Sequence, residues 1–318
     1  MFNHILVPLD GSSLAECVLP HVITVAQAFN ARVTLLRVFE QPRSSALSRA
    51  IDPLEWHLVK TEAEAYLNDT AAYLQGFGLQ VQRTLKEGNA AEHIIEFAHQ
   101  QELDLIILSS HGQSGLSGWN ISSVVQKIIL RSHISTLIVR AYQSPPKAPT
   151  SFGYKQLLVP LDGSQRAENA LSPAMILSRF YSSQLLLAHL VSKPEMISRT
   201  PLTPHETNLV NQITERNKQE ATLYLEQICS LSTAGLDPRL HIIEGNIREL
   251  HKLVELKDVD LVVLSAHGHS GVAKWPYGRV TLNFIVYGTT PLLIVQDLPR
   301  IEMEKTTAEL IVREQKGH

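Results

Sequence analysis

Short runs of consecutive apolar residues alternate with longer stretches in which apolar residues recur every three or four positions. The short runs predict strands at 5–9, 32–39, 79–85, 105–108 and 136–140, and the longer periods predict helices at 14–29, 56–76, 92–101 and 124–131. A polar stretch at 41–55, with Pro42 and Pro53, predicts a long loop. The second half of the chain repeats the pattern, with strands near 157–161, 185–191, 239–243, 261–264 and 292–296. A long helix over 206–231 follows the Pro-rich stretch 194–204. Runs such as Leu105-Ile-Ile-Leu are apolar at every position, not at alternate ones. That is the mark of strands covered on both faces, hence of a parallel sheet. Right-handed crossovers then give α/β architecture: two tandem doubly wound, Rossmann-like domains, each with a five-stranded parallel sheet. The helix at 56–76, with Lys60, Glu62 and Glu64 beside alanines and leucines, reads as an amphipathic surface helix.

The repetition is also literal. Leu6-Val-Pro-Leu-Asp-Gly-Ser12 recurs as Leu158-Val-Pro-Leu-Asp-Gly-Ser164, Glu87-Gly-Asn89 as Glu244-Gly-Asn246, and Ser110-His-Gly112 as Ala266-His-Gly268. The offset grows from 152 to 156–157 residues between the early and middle parts of the copies, which places small insertions in a loop there. One domain has been duplicated. The expected division is a first domain at 1–141, a Pro-rich linker at 142–153, a second domain at 154–297 and a tail at 298–318. The tail is mixed and charged, and reads equally as a docking helix or a frayed end.

With 44% hydrophobic and 19% charged residues, the 318-residue chain can build two ordinary cores. A net charge of −3 does not supply the basic face that a nucleic-acid partner requires. No apolar run reaches the ~20 residues of a membrane span. The N-terminus reads as a first strand rather than a signal peptide, so the default compartment is the cytoplasm. Cys17 and Cys229 show no metal-ligand or CxxC spacing and read as residues of apolar helix faces.

Ligands of open parallel sheets sit at the carboxyl ends of the strands, where the strand order reverses. Asp10-Gly11-Ser12, Val38 and the His111-Gly112 loop fall there in copy one. Asp162-Gly163-Ser164, Leu190 and the His267-Gly268 loop fall there in copy two. A small-residue loop leading into a helix start makes an anion cradle, because backbone N–H groups converge and the helix dipole adds positive potential. Asp10 could accept from an exocyclic amine or a ribose hydroxyl. Alternatively Asp10, Ser12 or Ser13 caps the following helix. His111 and His267 could contact phosphate or fix the loop. His267-x-His269 has no Cys or carboxylate partner nearby in sequence and is a poor metal motif. Trp119 and Trp275, at matching positions, read as packing residues rather than base-stacking ones.

The spacing Ser109-x-x-Gly112, nine residues, then Ser122-Ser123 resembles the nucleotide loop of the universal stress protein family, Gly-x-x-Gly, nine residues, then Gly and Ser or Thr. The resemblance covers both copies, from the Val-Pro-Leu-Asp-Gly-Ser opening to the His-Gly loop. It implies a stress-response protein with ATP or another adenine nucleotide as ligand, Mg2+ accompanying it. Asp10 and Val38 would meet the adenosine end, and Gly112, Ser122 and Ser123 the phosphates. It also implies that the last strands, 136–140 and 292–296, pair the copies into an intrachain pseudo-dimer, or pair chains into a homodimer, with a protein partner reading the nucleotide state. Both copies depart from the motif. Ser109 and Ser265 replace its first glycine, and Ser122 its late one. Copy two keeps Gly278 but has Arg279 at the hydroxyl position and Pro276 in the spacer. Arg279 could pair with phosphate or fill the pocket mouth. The Ser122-Ser123 pair favours copy one as the binding copy.

No GxxxxGK[ST], HExxH or GxSxG motif is present, and no arranged base is visible. Catalysis, if any, is expected to be weak ATP hydrolysis. The rival readings are an interaction scaffold that has lost its nucleotide, favoured by the eroded loops, and an adenylate-handling enzyme.

Overall fold

The computed structural model describes residues 1–39, 53–113, 115, 121–141, 153–194, 203–233, 235–269 and 276–297. Trp119, Trp275, the linker stretch 142–152 and the tail 298–318 lie outside the described residues. The chain forms two compact units, Met1–Gly153 and Tyr154–His318.

Unit 1 contains β1 (His4–Pro8), α1 (Ser13–Glu16), α2 (Leu19–Phe29), β2 (Arg32–Phe39), α3 (Pro53–Gln75), β3 (Val81–Glu87), α4 (Ala90–Gln100), β4 (Leu105–Ser109), α5 (Ser123–Ser132) and β5 (Ser135–Val139). Its strands are parallel in the order β3-β2-β1-β4-β5. Unit 2 repeats this with β6 (Gln156–Leu161), α6 (Gln165–Glu168), α7 (Leu171–Tyr181), β7 (Gln184–Val191), α8 (Pro204–Ser232), β8 (Arg239–Glu244), α9 (Ile247–Leu256), β9 (Leu261–Ser265), α10 (Arg279–Tyr287) and β10 (Leu292–Val295). Its order is β8-β7-β6-β9-β10, again all parallel. In each unit the order reverses beside the first strand, between β1 and β4 and between β6 and β9. The loops leaving those strands therefore diverge and leave a crevice.

The apolar runs are the central strands. Ile5, Leu6 and Val7 are all 0% exposed, and so are Leu105, Ile106 and Ile107. Successive strand residues point to opposite faces, so both faces of these strands are covered. At the sheet edge β3 is half exposed and carries Arg83, Lys86 and Glu87, charges that discourage pairing with a further strand.

The expected single helix over 14–29 is two helices, and the same break recurs in unit 2. Pro20 has no N–H to give the carbonyl four residues back, so the helix restarts as α2 with the proline in its first turn; Pro173 stands near the start of α7. The long helix of unit 1 begins at Pro53, inside the stretch expected to be loop. The repeated Glu-Gly-Asn turns start helices: Asn89 accepts from the amide of Glu92 at 3.2 Å, and Asn246 from that of Arg248 at 2.9 Å. The acid that opens each Asp-Leu run is structural too. Asp104 accepts the amides of Asn3 and His4 at 2.8 and 3.1 Å, and Asp260 those of Lys155 and Gln156 at 2.6 and 2.8 Å.

Candidate functional site

In each unit, the turn after the first strand is latched to the loop after the fourth. Asp10 Oδ1 accepts the amide and hydroxyl of Ser12, at 2.9 and 2.6 Å, while Oδ2 accepts the amide of Gln113 at 2.5 Å. Asp162 does the same with Ser164, at 3.1 and 2.6 Å, and with the amide of His269 at 2.6 Å. The carboxylate presses against a glycine. A Cβ on Gly112 would lie 2.1 Å from Asp10 Oδ2, and one on Gly268 would lie 2.1 Å from Asp162 Oδ2. No other residue leaves room, which is the physical reason for glycine there. The helix caps are the serines: Ser12 Oγ accepts from the Ala15 amide, and Ser164 Oγ from that of Ala167, both at 3.1 Å. The aspartates thus hold the loops in place, while the serines do the capping.

Beyond this shared latch the two units part. In unit 1, the Ser109 hydroxyl donates to the carbonyl of Leu14 at 2.9 Å and lies 3.4 Å from the Cys17 thiol. Ser122 is the N-cap of α5, and its hydroxyl accepts from the Val125 amide at 3.3 Å. Buried His111 lies 3.2 Å, through Nδ1, from the hydroxyl of Ser110, which also accepts the amide of Ala141. Ser123, the first residue of α5, is exposed. The hydroxyls of Ser109, Ser110 and Ser122 are therefore satisfied within the unit.

In unit 2, the Ser265 hydroxyl is buried and has no hydrogen-bond partner among the described residues. The residue that would receive it, by analogy with Leu14, is Arg166, and the Cys17 position is Asn169. Gly278 starts α10 without a side-chain cap. The first-turn amides of Arg279, Val280 and Thr281 therefore keep the unpaired donor capacity of any helix start. Ser265, Gly268, Gly278 and these three residues line one cavity of about 190 Å³, with Asp162 and Leu190 at its other side. His267 Nδ1 donates to Asp297 Oδ1 at 2.8 Å, both side chains being buried, and Arg166 Nε lies 3.7 Å from Asp297 Oδ2. Thr281 Oγ1 donates to the Ser265 carbonyl at 2.7 Å and fastens α10 to the loop.

The ends of the second strands, across the crevice, differ as well. Val38 is half-buried near the end of β2, opposite Lys86 of β3, and Leu190 faces the cavity near the end of β7. Arg37 lies over Gly11, where a Cβ would come within 3.1 Å of its Nη2, and 5.3 Å from the Tyr66 ring centroid. The matching residue of unit 2 is His189, which meets Tyr224 edge-on at 6.0 Å. Burial lowers the pKa of His189 against the opposing pull of Asp162, so this end of unit 2 has a neutral ring where unit 1 has a guanidinium.

The candidate binding residues from Asp10 to Arg279 lie at the carboxyl ends of the strands or in the loops and first helical turns that follow them. Asp297, Arg166 and Thr281 were missed. Lining up the copies would have exposed Asp297, because it occupies the place of Ala141.

Comparison with known proteins covers both units. The model of the universal stress protein family matches residues 1–140 and again 153–296. A universal stress protein of Methanocaldococcus jannaschii is 27% identical over 141 residues, 44% of this chain and 83% of the relative. A crystal structure of a universal stress protein from Archaeoglobus fulgidus shares the fold at 15% identity and a TM-score of 0.63, covering 94% of this chain and 100% of that one. A universal stress protein solved in complex with cAMP is also similar, at 19% identity over 44% of this chain and 98% of that one, with a TM-score of 0.35.

Proposed function

The chain belongs to the universal stress protein family, with two family domains in tandem, and from that premise we propose that it is an adenine-nucleotide-binding regulatory module whose nucleotide sits in unit 2. The observation that carries this reading is the set of unsatisfied donors around one cavity: the buried Ser265 hydroxyl and the uncapped first turn of α10, beside the Arg279 side chain. A buried hydroxyl without a partner costs ~1–3 kcal/mol, which an acceptor entering the cavity recovers. Three amides at a helix start, a hydroxyl and a guanidinium together suit a phosphate. Asp162 and Gly268 hold the loop in the shape that brings these donors together. Leu190 and the cavity wall of β6 offer the apolar surface for the base.

Unit 1 is the structural partner in this reading. Its equivalent hydroxyl is engaged by the Leu14 carbonyl and one first-turn amide of α5 by the Ser122 cap, which favours the scaffold role for that half. The nucleotide biases the conformation of unit 2, and a protein partner reads that state. Ligand bound only to the folded unit also stabilises it, by about 2.7 kcal/mol at a hundredfold excess over its dissociation constant.

The test begins with acid extraction of the purified full-length protein and chromatographic identification of any released nucleotide. Thermal unfolding with added ATP, ADP or cAMP follows. The reading expects an adenine nucleotide in the extract, or a ligand-dependent rise in Tm that is smaller in Ser265→Ala at the same ligand concentration. An empty extract together with an unmoved Tm for all three compounds refutes it.

A further inference from the structure

Adenine nucleotides with two or three phosphates commonly travel with Mg2+, and the motif resemblance carries that expectation. The residues of unit 2 do not fit it. Mg2+ demands near-octahedral oxygen ligands, usually including one or two carboxylates besides the phosphates. The acid lining the cavity, Asp162, has both oxygens turned into backbone amides and the Ser164 hydroxyl. The acid behind the loop, Asp297, does not line the cavity: its Oδ1 is held by His267, and its buried Oδ2, without a hydrogen bond among the described residues, lies 3.7 Å from the Arg166 guanidinium. Among the described residues no three His, Cys, Asp or Glu side chains gather as a metal site. At the position where unit 1 has the Ser123 hydroxyl, unit 2 has the guanidinium-bearing Arg279. A cation at that place would face a fixed positive charge and the positive end of the α10 dipole.

Resting on the reading of unit 2 as the nucleotide site, we propose that it takes its ligand as the metal-free phosphate anion, with Arg279 supplying the counter-charge a divalent cation would otherwise supply. The two units thus carry opposite solutions at one position. A hydroxyl can join the ligands of a metal, whereas a guanidinium replaces the metal and pairs with phosphate oxygens directly. The consequence for ligand choice is specific. Mg2+ in solution chelates ATP strongly and AMP weakly, so the cation competes with the site for ATP and hardly at all for AMP.

The experiment is calorimetric titration of the full chain with ATP and with AMP, each in excess EDTA and in millimolar Mg2+. The inference expects ATP to bind more weakly in Mg2+ than in EDTA, by about tenfold or more, and AMP affinity to change by less than about twofold. Arg279→Gln, at an exposed position, should lower affinity for both nucleotides in EDTA by about tenfold, with Arg279→Lys recovering part of it. ATP binding that strengthens tenfold with Mg2+, or an Arg279→Gln protein that binds as the original does in EDTA, overturns it. Absence of binding in every buffer removes the proposed function of unit 2 itself, a different outcome from either of those.

Discussion

The loop after β4 and the loop after β9 start from nearly the same sequence and reach opposite states. Both are latched by an aspartate against a glycine, with the same 2.1 Å close approach. In unit 1, a serine in place of the motif's late glycine caps α5, and Ser109 finds the Leu14 carbonyl. In unit 2, Gly278 cannot cap α10, and Ser265 finds no partner among the described residues. A donor can serve its own fold or a ligand, and in the proposed reading the two copies divide those tasks. The residue that looks more like a binding residue, Ser122, is the one committed to the fold.

The sharpest way to break this comparison is at the shared latch. Gly268→Ala and Gly112→Ala should each destabilise their own unit by about 1–3 kcal/mol, because the new methyl overlaps a carboxylate that cannot move without releasing the loop. Only Gly268→Ala should also abolish nucleotide binding. Chemical denaturation and ligand titration of the two variants check both halves of the statement.

A second contrast lies in the helix after each acidic turn. Burial pushes His21 down from its ordinary 6.5 to about 3, whereas unit 2 has Pro173 at the corresponding place. Between those values the unfolded chain binds a proton that the folded unit refuses. The contribution is therefore complete above about pH 6.5 and is lost as pH falls toward 3, with a slope of up to ~1.4 kcal/mol per pH unit. Unfolding of the full chain at pH 7 and pH 5 should show unit 1 weakened by acid, and His21→Leu should remove that part of the slope.

Smaller effects come from the serines. Ser109→Ala loses a made hydrogen bond and should cost about 1 kcal/mol of stability without touching nucleotide affinity. Ser265→Ala removes a hydroxyl with nothing to bond. It should leave stability unchanged or slightly higher while weakening the nucleotide about tenfold, or ~1.4 kcal/mol. The least effect on stability is expected from copying unit 1 into unit 2. Gly278→Ser should cap α10 and gain a few tenths of a kcal/mol, and affinity should fall because the cap takes a first-turn amide. A Gly278→Ser protein that binds more tightly would mean the hydroxyl is read by the ligand and not by the helix.

The fold was legible because its signals are local. Runs such as Leu105-Ile-Ile-Leu mark buried parallel strands, and the copied Leu-Val-Pro-Leu-Asp-Gly-Ser announces the duplication. Boundaries slipped where one residue outweighed the periodicity, as at Pro20 and Pro53. The site was legible as a place: Asp162, Leu190, Ser265, Gly268, Gly278 and Arg279 line one cavity. Its division between copies was not. Whether a serine hydroxyl is free depends on what folding brings within its reach: Ser109 meets the Leu14 carbonyl and the Cys17 thiol, whereas Ser265 meets no partner among the described residues. That pairing spans about a hundred residues of chain and has no periodic signature. For the same reason Asp297, paired with His267 across 30 residues, escaped a reading that looked along the motif.

The most direct measurement is the stoichiometry of nucleotide binding by the intact chain, in calorimetric titrations of the original protein, Ser265→Ala and Ser109→Ala. The account predicts one nucleotide per chain, an affinity lowered about tenfold in Ser265→Ala, and an unchanged isotherm in Ser109→Ala. Two nucleotides per chain, or a single one weakened by Ser109→Ala and indifferent to Ser265→Ala, would contradict it.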